Sequence, residues 1–225
     1  MLQQRTATSR KTARVGLLGA SVAFSAISLI ALLSHAQTAA IPGQPVPSSA
    51  RIEPLPAPAF ELRDSTGKIH KLSDYDGQVV VLEWIHPECP YVTRHYRAQT
   101  MQRLAKKYAE QKVVWLAVNS SHFATAEQME VWRKRHNLTY PILLDPTGTT
   151  GHAYHAERTP HMFVVANGKI AYSGAIDDAP LGRAHETRNY VEKALEQILA
   201  GKPVTTPQTA PYGCFVKYAP LPPSR

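Results

Sequence analysis

Only two of the 225 residues are cysteine, Cys89 and Cys214, so the chain can close one internal disulfide at most. No arginine-rich patch interleaves with aromatic residues, which removes the usual footprint of nucleic-acid binding. The net charge of +8 is less telling than it looks. Setting aside Arg5, Arg10, Lys11 and Arg14, which precede every acidic residue, leaves 21 basic against 17 acidic residues. A surplus of that size is what a solvated basic surface carries. There is no internal repeat, no motif that calls for a cofactor, and no pair of adjacent arginines; Ser9-Arg10-Lys11 is a poor match to a twin-arginine signal.

What is present begins with a basic segment through Arg14, followed by an uncharged apolar run over residues 15–33 and then Ser34-His35-Ala36. A positive start, an apolar stretch and small residues at the positions a signal peptidase reads make residues 1–36 an expected signal peptide. A run of about 18 apolar residues also reaches the length of a membrane anchor, so a tether through residues 15–33 stays open. Five Ser and Gly residues dilute the run and favour cleavage. Either form places the rest of the chain outside the cytoplasm, periplasmic or extracellular, where disulfides persist.

Most of the eighteen prolines fall within residues 42–58 and 203–223. Residues 37–58 therefore read as an extended linker, residues 59–202 as the folded domain and residues 203–225 as a proline-rich tail carrying Cys214. Inside the domain, Phe60–Arg63 and Lys68–Lys71 read as a hairpin. Val79-Val80-Val81-Leu82 and residues 113–118 read as buried strands. The spacing of Val92, Tyr96, Met101, Leu104 and Tyr108 predicts a helix after Pro90. Ala126–His136 and Ala184–Leu199 are two further helices, with Thr125 as an N-cap and Gly201 as a stop. His161–Val165 and Ile170–Ser173 are strands joined by Asn167-Gly168. Strands alternating with helices predict an α/β fold with a mixed central sheet flanked by helices, preceded by a β-hairpin extension.

Cys89 falls where a buried strand gives way to a helix, with Pro90 suited to the first helical position because it needs no donor there. Free N–H groups and the dipole of that helix end favour a thiolate. Such a cysteine can have its pKa lowered to about 3.5–7.5. His86 and His95 are close in sequence and are expected to add positive charge.

The stretch Glu83-Trp84-Ile85-His86-Pro87-Glu88-Cys89-Pro90 resembles the active-site segment of the thioredoxin superfamily. Phe60–Lys68 with Leu72-Ser73-Asp74-Tyr75 resembles the opening hairpin of peroxiredoxins (the alkyl hydroperoxide reductase and thiol-specific antioxidant type) and of related thiol reductases. Tyr140–Gly148 and Thr159-Pro160-His161-Met162-Phe163-Val164-Val165 resemble their following segments, in the same order. The set implies a thioredoxin fold of the branch that keeps one cysteine of the CxxC pair. Val92 stands at the second cysteine, so an ordinary dithiol thioredoxin is excluded. His86 and Leu82 stand where a typical peroxiredoxin has threonine or serine and proline, which sets peroxide reduction apart from the rest of the resemblance.

The resemblance implies further roles. Pro160 is expected to be cis and, with Thr159, to present backbone to substrate beside Cys89. Glu83 matches a buried acid that accepts a proton; a solvent-exposed strand glutamate is the open alternative, because the sequence does not fix its face. Cys214 is a resolving cysteine, half of a permanent bridge, or unpaired. The function expected is a thiol–disulfide oxidoreductase or thiol-dependent peroxidase with Cys89 as nucleophile. It would act on a protein thiol or disulfide or on a small peroxide, would use a separate thiol reductant, and would need no cofactor. Two other readings stand: a redox-inactive binding module, and a copper chaperone using His86, Cys89, His95 and His161. Soft copper favours more sulfur than this chain offers, so no metal site is expected.

Overall fold

The β-branched run over residues 79–82 forms the middle of the molecule, as its two-sided apolarity requires. The computed structural model describes residues 54–182 and 187–220; the segment read as a signal peptide or anchor lies outside them. Strand β3 (Val79–Trp84) pairs in parallel with β4 (Val113–Asn119) and antiparallel with β7 (His161–Ala166). Strand β5 (Ile142–Leu144) continues the parallel side, and β8 (Lys169–Gly174) closes the other edge through the Asn167-Gly168 turn, both residues at positive φ. The hairpin of β1 (Glu61–Asp64) and β2 (Ile69–Lys71) adds to β5, giving a mixed sheet in the order β2-β1-β5-β4-β3-β7-β8. This is the thioredoxin-type α/β architecture that the element order predicts.

Successive strand residues point to opposite faces, and two cores result. One contains Val81, Ile85, Trp115 and Ala117 with Met101, Leu104, Met129, Val191 and Leu195 from the helices. The other contains Val80, Leu82, Trp84 and Leu116 with Tyr154 and Phe163. Glu83 alternates with Leu82 and Trp84 and is fully buried. The exposed alternative for Glu83 is thereby excluded.

The helical pattern after Pro90 is broken in two: α1 (Pro90–Arg97) and α2 (Thr100–Tyr108) meet at Gln99, which is left-handed with φ 54°. Neither glycine nor proline marks that break. Helix α3 (Ala126–Arg135) starts at Thr125, whose side chain accepts a hydrogen bond from the Gln128 N–H at 3.2 Å. A short α4 (Thr149–Ala153) precedes strand β6 (Arg158–Thr159). Helix α5 is Tyr190–Leu199, shorter than the stretch predicted from residue 184, because Asn189 caps it by accepting from the Glu192 N–H at 2.8 Å.

The described parts of the proline-rich flanks, residues 54–58 and 203–220, pack on the domain. Ala57 N–H donates to Gly168 O at 2.9 Å, and the Tyr154 hydroxyl donates to Pro58 O at 2.7 Å. The tail crosses the sheet edge, where the Thr209 N–H donates to Ser173 O at 3.1 Å, and ends in strand β9 (Cys214–Phe215), antiparallel to β6. Tyr218 then stacks on His152 and donates to Ala156 O at 2.7 Å.

Candidate functional site

Strand β3 delivers the chain to a turn in which the Cys89 N–H donates to His86 O at 3.0 Å. Cys89 is the N-cap of α1, in an extended conformation, and Pro90 is the first helical residue. The proline's locked φ suits that position. Strand β6 comes alongside: the Cys89 thiol lies 2.9 Å from Thr159 O, and the Thr159–Pro160 peptide bond is cis.

Cys89 thus lies beside the Thr159–Pro160 segment. The site also includes Cys214, which pairs opposite Thr159 in the β6–β9 ladder. Both cysteines are free thiols. Cys89 is only 2% exposed, whereas Cys214 is half-buried.

Burial works against ionising Cys89. The Thr159 side chain, the Cys214 thiol and the backbone N–H groups of Val92 and Cys214 hydrogen-bond to its sulfur and together outweigh that cost, holding its pKa below the ordinary thiol value. Cys214 responds in the opposite sense. Burial, its hydrogen bond to Cys89 and the proximity of that charge push it up to about 11. The two thiols are thus shifted in opposite directions, Cys89 down and Cys214 up.

The two histidines do not supply the positive charge expected of them. Burial lowers the pKa of His86, whose Nδ1 accepts from the Glu88 N–H at 3.0 Å. His95 is pushed down to about 3 by burial and by Arg94. The charge stabilisation at Cys89 comes from amide and hydroxyl donors instead. Nor do the histidines assemble around the sulfur. His161 is buried against Phe163, and among the described residues no three His, Cys, Asp or Glu side chains could together hold a metal ion.

Glu83 sits beneath this site but not in it. Its Oε2 accepts from Trp115 Nε1 at 2.8 Å. Burial raises its pKa to about 7, against the opposing effect of Trp115 and the nearby Tyr96 and Tyr140 hydroxyls. No hydrogen bond joins it to either sulfur among the described residues.

The groove beside Thr159-Pro160, expected to hold substrate, holds the chain's own tail. Gly213, at φ 114°, lies so close to Thr159 that a Cβ there would overlap its carbonyl oxygen. The tail's aromatic residues, unusual for a linker, were the missed signal: Tyr212 is buried against α1, and the Arg158 guanidinium covers the Phe215 ring at 3.7 Å. On the other side of the His86–Glu88 turn lies a cleft of about 280 Å³, lined by His86, Pro87, Glu88, Phe123 and Trp132 among others.

Residues 55–173 match the AhpC/TSA family. The chain belongs to that family. Its segments compare with thiol-disulfide oxidoreductase ResA of Geobacillus thermodenitrificans at 34% identity over 122 residues, which is 51% of this chain and 64% of that protein. The match thus spans less than two thirds of ResA. Among solved structures, a conserved protein of Geobacillus kaustophilus superposes with a TM-score of 0.70 at 26% identity, covering 80% of this chain and 98% of the other. A candidate thiol:disulfide interchange protein DsbE of Chlorobium tepidum gives 0.51 at 26% identity, covering 66% and 96%. The matched span contains the strand-to-helix junction at Cys89.

Proposed function

We propose that this AhpC/TSA-family protein is an exported thiol–disulfide oxidoreductase in which Cys89 is the nucleophile and Cys214 the resolving cysteine. The observation that carries the reading is the convergence of two free thiols on Thr159: the Cys89 sulfur lies 2.9 Å from Thr159 O and Cys214 pairs opposite Thr159 in the β6–β9 ladder, with Cys89 held below its ordinary pKa and Cys214 above it. Thiol–disulfide exchange needs a thiolate to attack and a second thiol within reach. Cys89 attacks a disulfide sulfur, one substrate thiolate leaves, and a mixed disulfide forms. Cys214 then gives up its proton and bonds to the Cys89 sulfur, expelling the second substrate thiolate. A separate dithiol reductant returns both cysteines to the reduced state and is itself oxidised to a disulfide.

The burial of Cys89 under β9 favours a small oxidant while the tail is seated. With a hydroperoxide, the thiolate takes the terminal oxygen to give a sulfenic acid and an alcohol or water, and Cys214 then expels water. Thr159 and Pro160 hold the Cys89 side of the groove in both cases, and residues 1–36 direct export.

The reading is tested by treating reduced protein with one equivalent of hydrogen peroxide or of a small disulfide, alkylating, and mapping both cysteines by mass spectrometry. An internal Cys89–Cys214 bond is expected. Cys214→Ser should stop at a dimedone-reactive sulfenic acid or a mixed disulfide, and Cys89→Ser should leave Cys214 reduced. Two alkylated thiols after either oxidant would refute the reading.

A further inference from the structure

A two-residue strand is too short to hold itself in place. Strand β9 nevertheless sets Cys214 against Thr159, and its support comes from a buried polar cluster just before it. The Tyr212 hydroxyl donates to Asp177 Oδ1 at 2.5 Å, receives a hydrogen bond from Arg94 Nη2 at 3.2 Å, and lies 2.9 Å from His95 Nε2. Arg94 Nη1 also donates to Ala179 O at 2.7 Å, tying the loop after β8 to α1. Asp177, His95 and Tyr212 are all buried. Burying these groups is unfavourable unless they satisfy one another, and here their contacts meet at a single tail hydroxyl, while Arg94 Nε has no partner among the described residues.

The placement is specific. Arg94 and His95 belong to α1, the helix that Cys89 caps. Tyr212 is two residues before Cys214, and the intervening Gly213 has no room for a side chain. The helix that activates the nucleophile thus also grips the segment that brings its partner.

We propose that Arg94, His95, Asp177 and Tyr212 form a latch that seats the Cys214 strand, and that Tyr212 is a positioning residue for closure of the Cys89–Cys214 bond. This deepens the exchange reading above and depends on it. In the step concerned, the Cys214 thiol loses its proton, its sulfur bonds to Cys89, and the group carried by Cys89 departs with the bonding pair, as water from a sulfenic acid after protonation.

Tyr212→Phe in the full chain removes one hydroxyl and keeps the ring. After one equivalent of hydrogen peroxide, closure of the internal disulfide should slow about tenfold or more, the scale of a lost hydrogen bond to a charged partner. Dimedone-reactive Cys89 should accumulate in the interval. In a Cys214→Ser background, the same substitution should raise iodoacetamide alkylation of Cys89 by about tenfold, because the tail lifts more often. Hydrogen exchange should accelerate at the Thr209 and Val216 amides and stay unchanged in β3 and β4, which separates an open tail from a damaged fold. Asp177→Asn, which keeps an acceptor oxygen, should close near the normal rate, and Asp177→Ala should not. If the unaltered chain forms no Cys89–Cys214 bond, the exchange reading fails. If it forms the bond, and Tyr212→Phe closes and alkylates at unchanged rates, the latch fails alone.

Discussion

Glu83 offers a test of the core that needs no substrate. Its carboxyl is fully buried, with one oxygen bonded to Trp115 and the other, Oε1, without a partner among the described residues. Burial moves its pKa from the ordinary 4.5 to about 7. In the unfolded chain the same group ionises near its ordinary value. Between those two values the folded state holds a proton that the unfolded state has released, so stability must fall as pH rises through that window. At about 1.4 kcal/mol per pH unit, the displacement is worth roughly 3 kcal/mol, present in full below pH 4.5 and lost above pH 7. Glu83→Gln keeps the acceptor for Trp115 and cannot ionise. Urea unfolding of reduced protein from pH 4.5 to 8.5 should give a difference between variant and parent that grows by about 3 kcal/mol in favour of Gln across the window. Parallel stability curves, with no change in the difference, would refute the claim that a protonated acid is built into the core. The same variant tests the proton-acceptor role: if Glu83 serves the exchange, the pH profile of Cys89–Cys214 closure should lose an inflection near pH 7.

Two other substitutions probe the sulfur and the tail. Cys214→Ala removes one of the donors on Cys89, so the pH midpoint of Cys89 alkylation should shift upward, by about one unit at most on the scale of a single hydrogen bond; a downward shift would contradict the donor assignment. Gly151→Ala would drive a methyl group into the Tyr218 hydroxyl and toward Ser120, and overpacking of that kind should cost about 1–3 kcal/mol in denaturant unfolding; a neutral result would mean that Tyr218 is not a fixed anchor.

The parts of the site legible in the sequence are those set by local chemistry. A β-branched run, a cysteine and a helix-starting proline are contiguous, so β3, Cys89 and α1 could be read directly. The Asn167-Gly168 turn was equally local. The left-handed Gln99 was not legible, because packing rather than a glycine imposes it. The charge expected from His86 and His95 was misjudged because burial, which the sequence does not display, decides their protonation. The tail was the largest omission. Its prolines suggest a spacer, while its role depends on contacts such as Tyr212 with Asp177 and Tyr218 with Ala156, each linking positions far apart in the chain.

Two of the donors that favour the Cys89 thiolate, the Cys214 thiol and the Cys214 amide, come from a segment far from it in the chain. The environment of the nucleophile is therefore completed only when strand β9 has docked against β6. A fusion or substitution that keeps the strand from docking would leave Cys89 more accessible but without these two donors.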